Sequence, residues 1–453
     1  MSTVDVDEDI NLLKKYAFLS QDVKSNGYQM HRLVQISQRK WLKSRRMFTR
    51  TKEESLLAIL EAFPTPDEED WIGSKSLLPH AEAILGFVPF QKSYMLPYTA
   101  LSHTAAFYAR VWKGHETLQE IVNTATTRTE ELFNPKEGLA LDCGFNLSWL
   151  HFAAGKYNGA TEWAKRVLEG RETLLGPDHP DTLSAHCSLG TMLRYQGEYK
   201  EAERNSRKAS KGFKTVLGIS HLKTLRSNNN LAQTLLDQGK YTEAENLFVE
   251  VIDFWKRVLG AEHLTTLSSM NSLALTYRNQ GRWKEAEELG LQVVEINKKV
   301  LGDEHPDTLI SMNNLAATYH SQGRWKEAEE LGLQVVEIEK KVLGDEHPDT
   351  LISMDNLAST YHSQGRWKEA EELGLQVVEI KKKVLGDEHP DTLTSMSNLA
   401  LVYDDQGQWK EAEALMEECF QLRERVLGPQ HPSTISSREN LRSFRLVGAE
   451  GKS

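Results

Sequence analysis

Seven histidines recur at one constant interval along the chain: His179, His221, His263, His305, His347, His389 and His431. Imidazole serves as a metal ligand and as a general base, so such a set first invites a metal centre or a catalytic site. The spacing argues against both. One histidine per unit puts successive rings on the order of 10 Å apart, the distance between packed helices. Ligands must instead converge to about 2–2.6 Å of a single ion. A hydrogen bond at a loop or helix start, repeated once per unit, fits better. Other reactive patterns are missing: the chain has no Gly-x-Ser-x-Gly, no His-Glu-x-x-His and no cysteine–histidine nucleophile set. Cys143, Cys187 and Cys419 lie far apart within helical stretches, which suits a reducing compartment rather than a disulfide or metal framework. Gly451-Lys452-Ser453 has no upstream glycine at P-loop spacing and so makes no phosphate cradle. The expectation is a protein that is not an enzyme and takes no cofactor or metal.

The histidines belong to a cassette that is clearest from Pro306 to Leu343. A Leu-Gly-x-x-His anchor starts at Leu175, Leu217, Leu259, Leu301, Leu343, Leu385 and Leu427, with no slippage in the step. A fixed period of this size marks a solenoid of stacked units, not a globule around one centre. Met312, Leu315, Ala316 and Tyr319 form one helical face. Gln322-Gly323-Arg324 interrupts it, and glycine can take the positive φ that ends a helix. A second face runs through Ala328, Leu331, Val335, Ile338 and Val342. Its far side carries Lys326, Glu327, Glu330, Glu337, Lys340 and Lys341, with Glu337 and Lys341 at ion-pair spacing. Gly344 stops this second helix, and Pro348 with Asp349 suits the first turn of the next. Ala316 and Ala328 mark the closest approach of the two helices, Tyr319 and Trp325 are expected to fill the space beside them, and Glu329-Glu330 reads as a solvated outer face.

Leu315-Ala316, Tyr319, Gly323, Trp325 and Ala328 together resemble the tetratricopeptide repeat. The 42-residue length and the linker Leu-Gly-x-x-His-Pro-Asp-Thr-Leu are similar to the longer repeats of kinesin light chains. The resemblance implies an all-α, right-handed superhelical solenoid with first helices on the concave surface and a non-enzymatic interaction role. The stripe turned to that groove is then Arg194, Arg226, Asn229, Gln233, Asn271, Arg278, Asn313, His320, Asp355, His362 and Asp404. Asn and Gln both donate and accept, which suits holding the backbone of an extended peptide. The arginines make one half of the groove cationic, while Asp355 and Asp404 make the other acidic. A protein or peptide partner with acidic residues at one end would match that field.

Before the repeats, residues 17–20 and 28–31 read as two short strands joined through Asn26-Gly27, flanked by helices over 6–16 and 33–42. The stretch GYQMHRLVQISQRKWL resembles the end of the winged-helix part of NB-ARC signalling ATPases. Fungal proteins of that type carry such a module ahead of arrays like this one. The resemblance implies a vestigial nucleotide-sensing Met30-His31 motif; without a P-loop, His31 reads as a strand-end residue. LLPHAEAIL resembles the bridging helices of the same family. The organisation expected is a winged-helix-like remnant over 1–46, a helical connector over 47–95, two degenerate repeats over 96–175, six regular repeats over 176–427, and a capping helix and tail over 428–453.

Net charge is −11, which argues against general nucleic-acid binding. Seven Lys/Arg fall within residues 39–52 and read as a solvated basic face. No apolar run is long enough for a membrane span and the acidic start is no secretory signal, so a cytoplasmic location is expected. Units 302–343 and 344–385 differ only at Asn313/Asp355, Ala317/Ser359 and Glu339/Lys381, as after a recent duplication. Two alternatives to an NB-ARC-type interaction scaffold are a kinesin-light-chain-like cargo adaptor, for which the heptad-rich coiled coil is lacking, and a subunit of a switch with a separately encoded ATPase.

Overall fold

The structure, a computed structural model, describes residues 19–21, 28–30, 48–62, 71–86, 92–112, 115–132, 134 and 136–450. The expected helices over 6–16 and 33–42, the Asn-Gly turn and His31 lie outside those residues. Strands β1 (Leu19–Gln21) and β2 (Tyr28–Met30) pair antiparallel with Leu19 opposite Met30. All other described elements are helical, apart from turns. They are α1 (Phe48–Ala62), α2 (Trp71–Leu85), α3 (Met95–Trp112), α4 (His115–Leu132), α5 (Gly138–Ala153), α6 (Tyr157–Leu175), α7 (Pro180–Tyr195) and α8 (Tyr199–Leu217). They continue as α9 (Leu222–Asp237), α10 (Tyr241–Val258), α11 (Leu264–Asn279), α12 (Trp283–Leu301), α13 (Pro306–Ser321) and α14 (Trp325–Val342). Last come α15 (Pro348–Ser363), α16 (Trp367–Val384), α17 (Pro390–Asp405), α18 (Trp409–Val426) and α19 (Pro432–Glu450).

Each repeat is a first helix, a glycine turn and a second helix. The turn glycine Gly323 has φ +74°, the left-handed region in which a Cβ is strained. The linker histidine caps the helix that follows it. Its ring Nδ1 accepts the backbone N–H two residues on, at 3.1 Å from His305 to Asp307 and 3.2 Å from His347 to Asp349. The same bond forms at the other five histidines, which gives all seven one role at the helix start. Removing one cap, as in His347→Ala, is expected to cost about 1 kcal/mol of stability, read as a shift in the urea midpoint.

The core is divided along the array. Val294, Leu309, Met312, Leu315 and Val335 form one cluster, and Val336, Leu351, Met354, Leu357 and Val377 form the next. Each cluster joins the second helix of one repeat to both helices of the next, so stability propagates between neighbours. A larger cluster containing Leu56, Leu78, Tyr98, Leu101 and Leu147 joins α1 and α2 to the early repeats, and Tyr98 Oη donates to the Leu85 carbonyl at 3.0 Å.

Three packing expectations change. Trp325 is 40% exposed and does not fill the interior beside Ala328. Lys341 pairs at 2.6 Å with Glu304 in the linker at the start of its own repeat, not with Glu337. Glu329 is not merely solvated: Arg366 and Gln364 of the next repeat donate to it at 2.7 and 2.8 Å. The same ladder ties Arg324 to Glu287, with its guanidinium stacked 4.3 Å over Tyr319. In the Glu329 and Glu287 pairs long side chains reach the neighbouring unit, which a reading of one isolated cassette could not include.

Candidate functional site

Which face is concave follows from contacts between like helices. Successive first helices, from α7 through α9, α11, α13 and α15 to α17, touch one another. Second helices of neighbouring repeats make no comparable contact. The first helices therefore sit at the smaller radius and form the inner wall.

Two hydrogen-bond ladders run along that wall, each linking a first helix to the next. In the upper ladder the residue offset is 40. Ser269 Oγ donates to Asn229 Oδ1 at 3.0 Å, Asn313 Nδ2 donates to Ser353 Oγ at 2.6 Å, and Ser395 Oγ donates to Asp355 Oδ2 at 2.5 Å. Gln233 reaches Ser272 close by, at 2.5 Å. In the lower ladder the offset is 43. Arg194 pairs with Asp237 at 2.7 Å, His320 bonds Ser363 at 2.8 Å, and His362 bonds Asp405 at 2.6 Å. Most groove residues expected from the sequence are therefore engaged with their own array.

Helix α11 breaks both ladders. The residue 40 on from Asn271 is Ser311, whose hydroxyl donates to the Thr308 carbonyl and which accepts from Asn297. The residue 43 on from Arg278 is Ser321, whose hydroxyl donates to the Ala317 carbonyl. Neither the Asn271 nor the Arg278 side chain has a hydrogen bond or ion pair among the described residues. Burial pushes the Arg278 pKa down, as expected of a cation losing water without gaining an acid. His320, one repeat on, is also lowered, first by burial and further by Arg278 and His362. Asn271 borders a cavity of about 470 Å³ with Asn229, Ser272, Leu275, Ile310 and Asn314. Ile310 is 44% exposed there. The arrangement can hold a peptide unit at Asn271, an anion at Arg278 and an apolar side chain against Leu275 and Ile310.

Asp355 does not stand free in the groove. Its carboxylate takes a hydrogen bond from Lys381 Nζ at 2.6 Å, and that lysine is 2% exposed. Asp404 keeps one buried oxygen without a partner, and burial followed by repulsion from Asp405 raises its pKa. Arg226 lies near the Cys187 thiol. Sequence reasoning missed the ladder serines and Asp237 and Asp405. The available signal was the pair of offsets 40 and 43 joining polar positions of consecutive units.

Among the described residues no group of three His, Cys, Asp or Glu could hold a metal, and no helix is long and apolar enough to cross a membrane.

Helix pairs repeated at a constant step, with one polar inner wall, define an α-helical repeat solenoid. A tetratricopeptide repeat model matches residues 145–215, 223–299, 270–341 and 316–383, and a second such model matches 392–433. The chain belongs to the tetratricopeptide repeat family. It is 33% identical over 176 residues to a nucleotide-binding leucine-rich repeat (NLR)-like protein of Hyaloscypha variabilis, a match spanning 39% of this chain and 14% of that protein. The solved nearly identical TPR-like repeats of a putative kinesin light chain from Podosopora anserina are 40% identical, covering 45% of this chain and 96% of that one, TM-score 0.38. The Rap conjugation gene regulator of plasmid pLS20, solved with the Phr* peptide, is 12% identical over 83% of this chain and 95% of that one, TM-score 0.49. The chain thus resembles both kinesin-light-chain-type repeats and part of an NLR-like protein.

Proposed function

We propose that this chain is a non-enzymatic, cytoplasmic interaction scaffold whose inner wall receives an extended protein segment carrying an acidic residue. It would act as the partner-binding part of an NB-ARC-type signalling protein. The observation that supports this reading is the break at α11. The side chains of Asn271 and Arg278 lack the intrachain partners that Asn229 and Asn313, and Arg194 and His320, have at the same positions of other repeats; the position one repeat before Arg278 is the apolar Leu236. Asn271 and Arg278 lie seven residues apart on one helix, roughly 10 Å at 1.5 Å per residue. An extended chain covers that distance in about three residues. A ligand carboxylate would thus follow the peptide unit held by Asn271 at about that interval.

The test is selection of random twelve-residue peptides on the full chain. Peptides with an Asp or Glu at a fixed position should be enriched. Their affinity should fall about tenfold for Arg278→Ala and less for Asn271→Ala, with the unfolding free energy of each variant, from urea curves, within about 0.5 kcal/mol of the parent. Enrichment indifferent to both substitutions would refute the inner-wall site.

A further inference from the structure

Two turn glycines approach residues far along the chain. A Cβ built on Gly155 would lie 2.9 Å from His389 Nε2. One built on Gly197 would lie 2.7 Å from His431 Cδ2 and 2.8 Å from Pro432 Cδ. The two pairs have the same separation in sequence, between five and six repeats. The same displacement occurring twice is a screw operation: the turn edge of one coil lies on the linker edge of the next. Gly281 and Gly323, with φ of +75° and +74°, would place a Cβ in open space. The close approach therefore belongs to these two positions and not to the turn type. A cavity of about 470 Å³ lies along the same seam, bordered by Tyr157, Asn158 and Gln196 from one coil and Leu385, Pro390 and Leu427 from the other.

The seam has a steric consequence for the wall it encloses. First-helix axes roughly 10 Å apart, five to six to a turn, enclose a circle roughly 18 Å across. Subtracting a helix about 10 Å thick leaves a lumen on the order of 8 Å. A folded domain of about 100 residues has a radius of gyration of about 13 Å, while a single extended strand fits a gap of this width.

We infer that the array closes on itself into a tube whose lining admits an extended polypeptide segment and excludes a folded domain, with the seam at Gly155–His389 and Gly197–His431 as the closure. This rests on the reading of the inner wall as the binding surface. The turn side of that seam is glycine, so nothing larger than hydrogen projects between the coils there.

Access can be measured without knowing the ligand. In the full chain, Asn271→Cys places a thiol on the lining and Glu330→Cys one on the exposed outer face. Each is labelled with N-ethylmaleimide, with a maleimide on a twelve-residue glycine–serine peptide, and with a maleimide on folded ubiquitin, and modification at that position is followed by mass spectrometry. At position 271 the ubiquitin reagent should react at least roughly tenfold more slowly than at 330, relative to N-ethylmaleimide, while the peptide reagent should not. Gly155→Asn with Gly197→Asn should abolish the difference, because asparagine tolerates positive φ but wedges the seam. It should also raise amide exchange over 385–390 and 426–432. Gly281→Asn has the same backbone geometry without the seam and should do neither. Equal ubiquitin labelling at both sites, exclusion of the peptide reagent, or identical behaviour of the seam and control variants would overturn the closure. A closed tube that selects no peptide would sink the binding role and leave the tube standing; an open array that selects acidic peptides would do the reverse.

Discussion

Replacing Glu339 by glutamine will stabilise the array above pH 7 and leave it unchanged near pH 4.5. Glu339 sits in α14 at a position that two other repeats fill with the aromatic Phe213 and Trp255 and four with Arg171, Asn297, Lys381 and Arg423. Three of the polar ones donate to a backbone carbonyl ten residues on: Arg171 to Asp181 at 3.0 Å, Asn297 to Asp307 at 3.2 Å and Arg423 to Ser433 at 3.1 Å. An ionised carboxylate offers no such donor. Glu339 is 2% exposed, one of its oxygens has no partner, and burial, with repulsion from Asp349, pushes its pKa up to about 7 despite a hydrogen bond with Ser353. The folded chain therefore holds this proton more tightly than the unfolded chain, whose carboxyl titrates near 4.5. Stability is full below the unfolded value, falls as pH rises from there, and levels off above about 7. At about 1.4 kcal/mol per unit the loss approaches roughly 3 kcal/mol. Glutamine keeps the shape, supplies the donor and does not titrate. Buried histidines such as His151, lowered to about 4 by burial and then by Lys156, add their own pH dependence. That part cancels in the difference between parent and variant. Parallel urea curves for parent and Glu339→Gln from pH 5 to pH 8 would show that Glu339 is ionised in the fold.

The sequence makes the repeating pair legible because helix stops and apolar faces are local. Gly323 ends a helix and His347 starts one within a few residues of chain, so their roles follow from spacing alone. Relations between units are different in kind. Whether Glu329 is solvated or meets Arg366, and whether Asn229 faces a ligand or Ser269, depends on the rotation from one repeat to the next. A single cassette does not specify that rotation. The seam is further removed, since the approach of Gly197 to His431 accumulates small angles over more than five repeats. The period alone puts a polar stripe on the first helices. The distinction within it, between residues tied to their own array and the untied pair on α11, needs the ladders.

The near-identical repeats then yield the other large effect, in the pair Asp355 and Lys381. Of three differences between units 302–343 and 344–385, two exchange Asn313 and Glu339 for Asp355 and Lys381. Lys381 Nζ lies 2.6 Å from Asp355 and 2.9 Å from Ser395, with side chains 2% and 12% exposed. Asn313 is hydrogen-bonded to Ser353, the counterpart of Ser395, and Ser353 also bonds Glu339. The two differences therefore fall in one hydrogen-bonded cluster: an amide and an acid of raised pKa in one unit, an ion pair in the other. Lys381→Ala strands a buried carboxylate and should cost about 3–5 kcal/mol. Lys381→Glu puts two acids together and should cost at least as much. Adding Asp355→Asn to Lys381→Glu recreates the pair found one repeat earlier, in a unit that otherwise differs only at Ala317 and against the same serine of the next repeat, and should recover most of the loss. The double variant should also gain the falling stability between pH 5 and pH 7 that Glu339 confers on its own repeat. A double-mutant cycle should give a coupling of roughly 2–3 kcal/mol. Coupling near zero would mean that the two positions vary independently, and the two units would then differ at three unrelated sites.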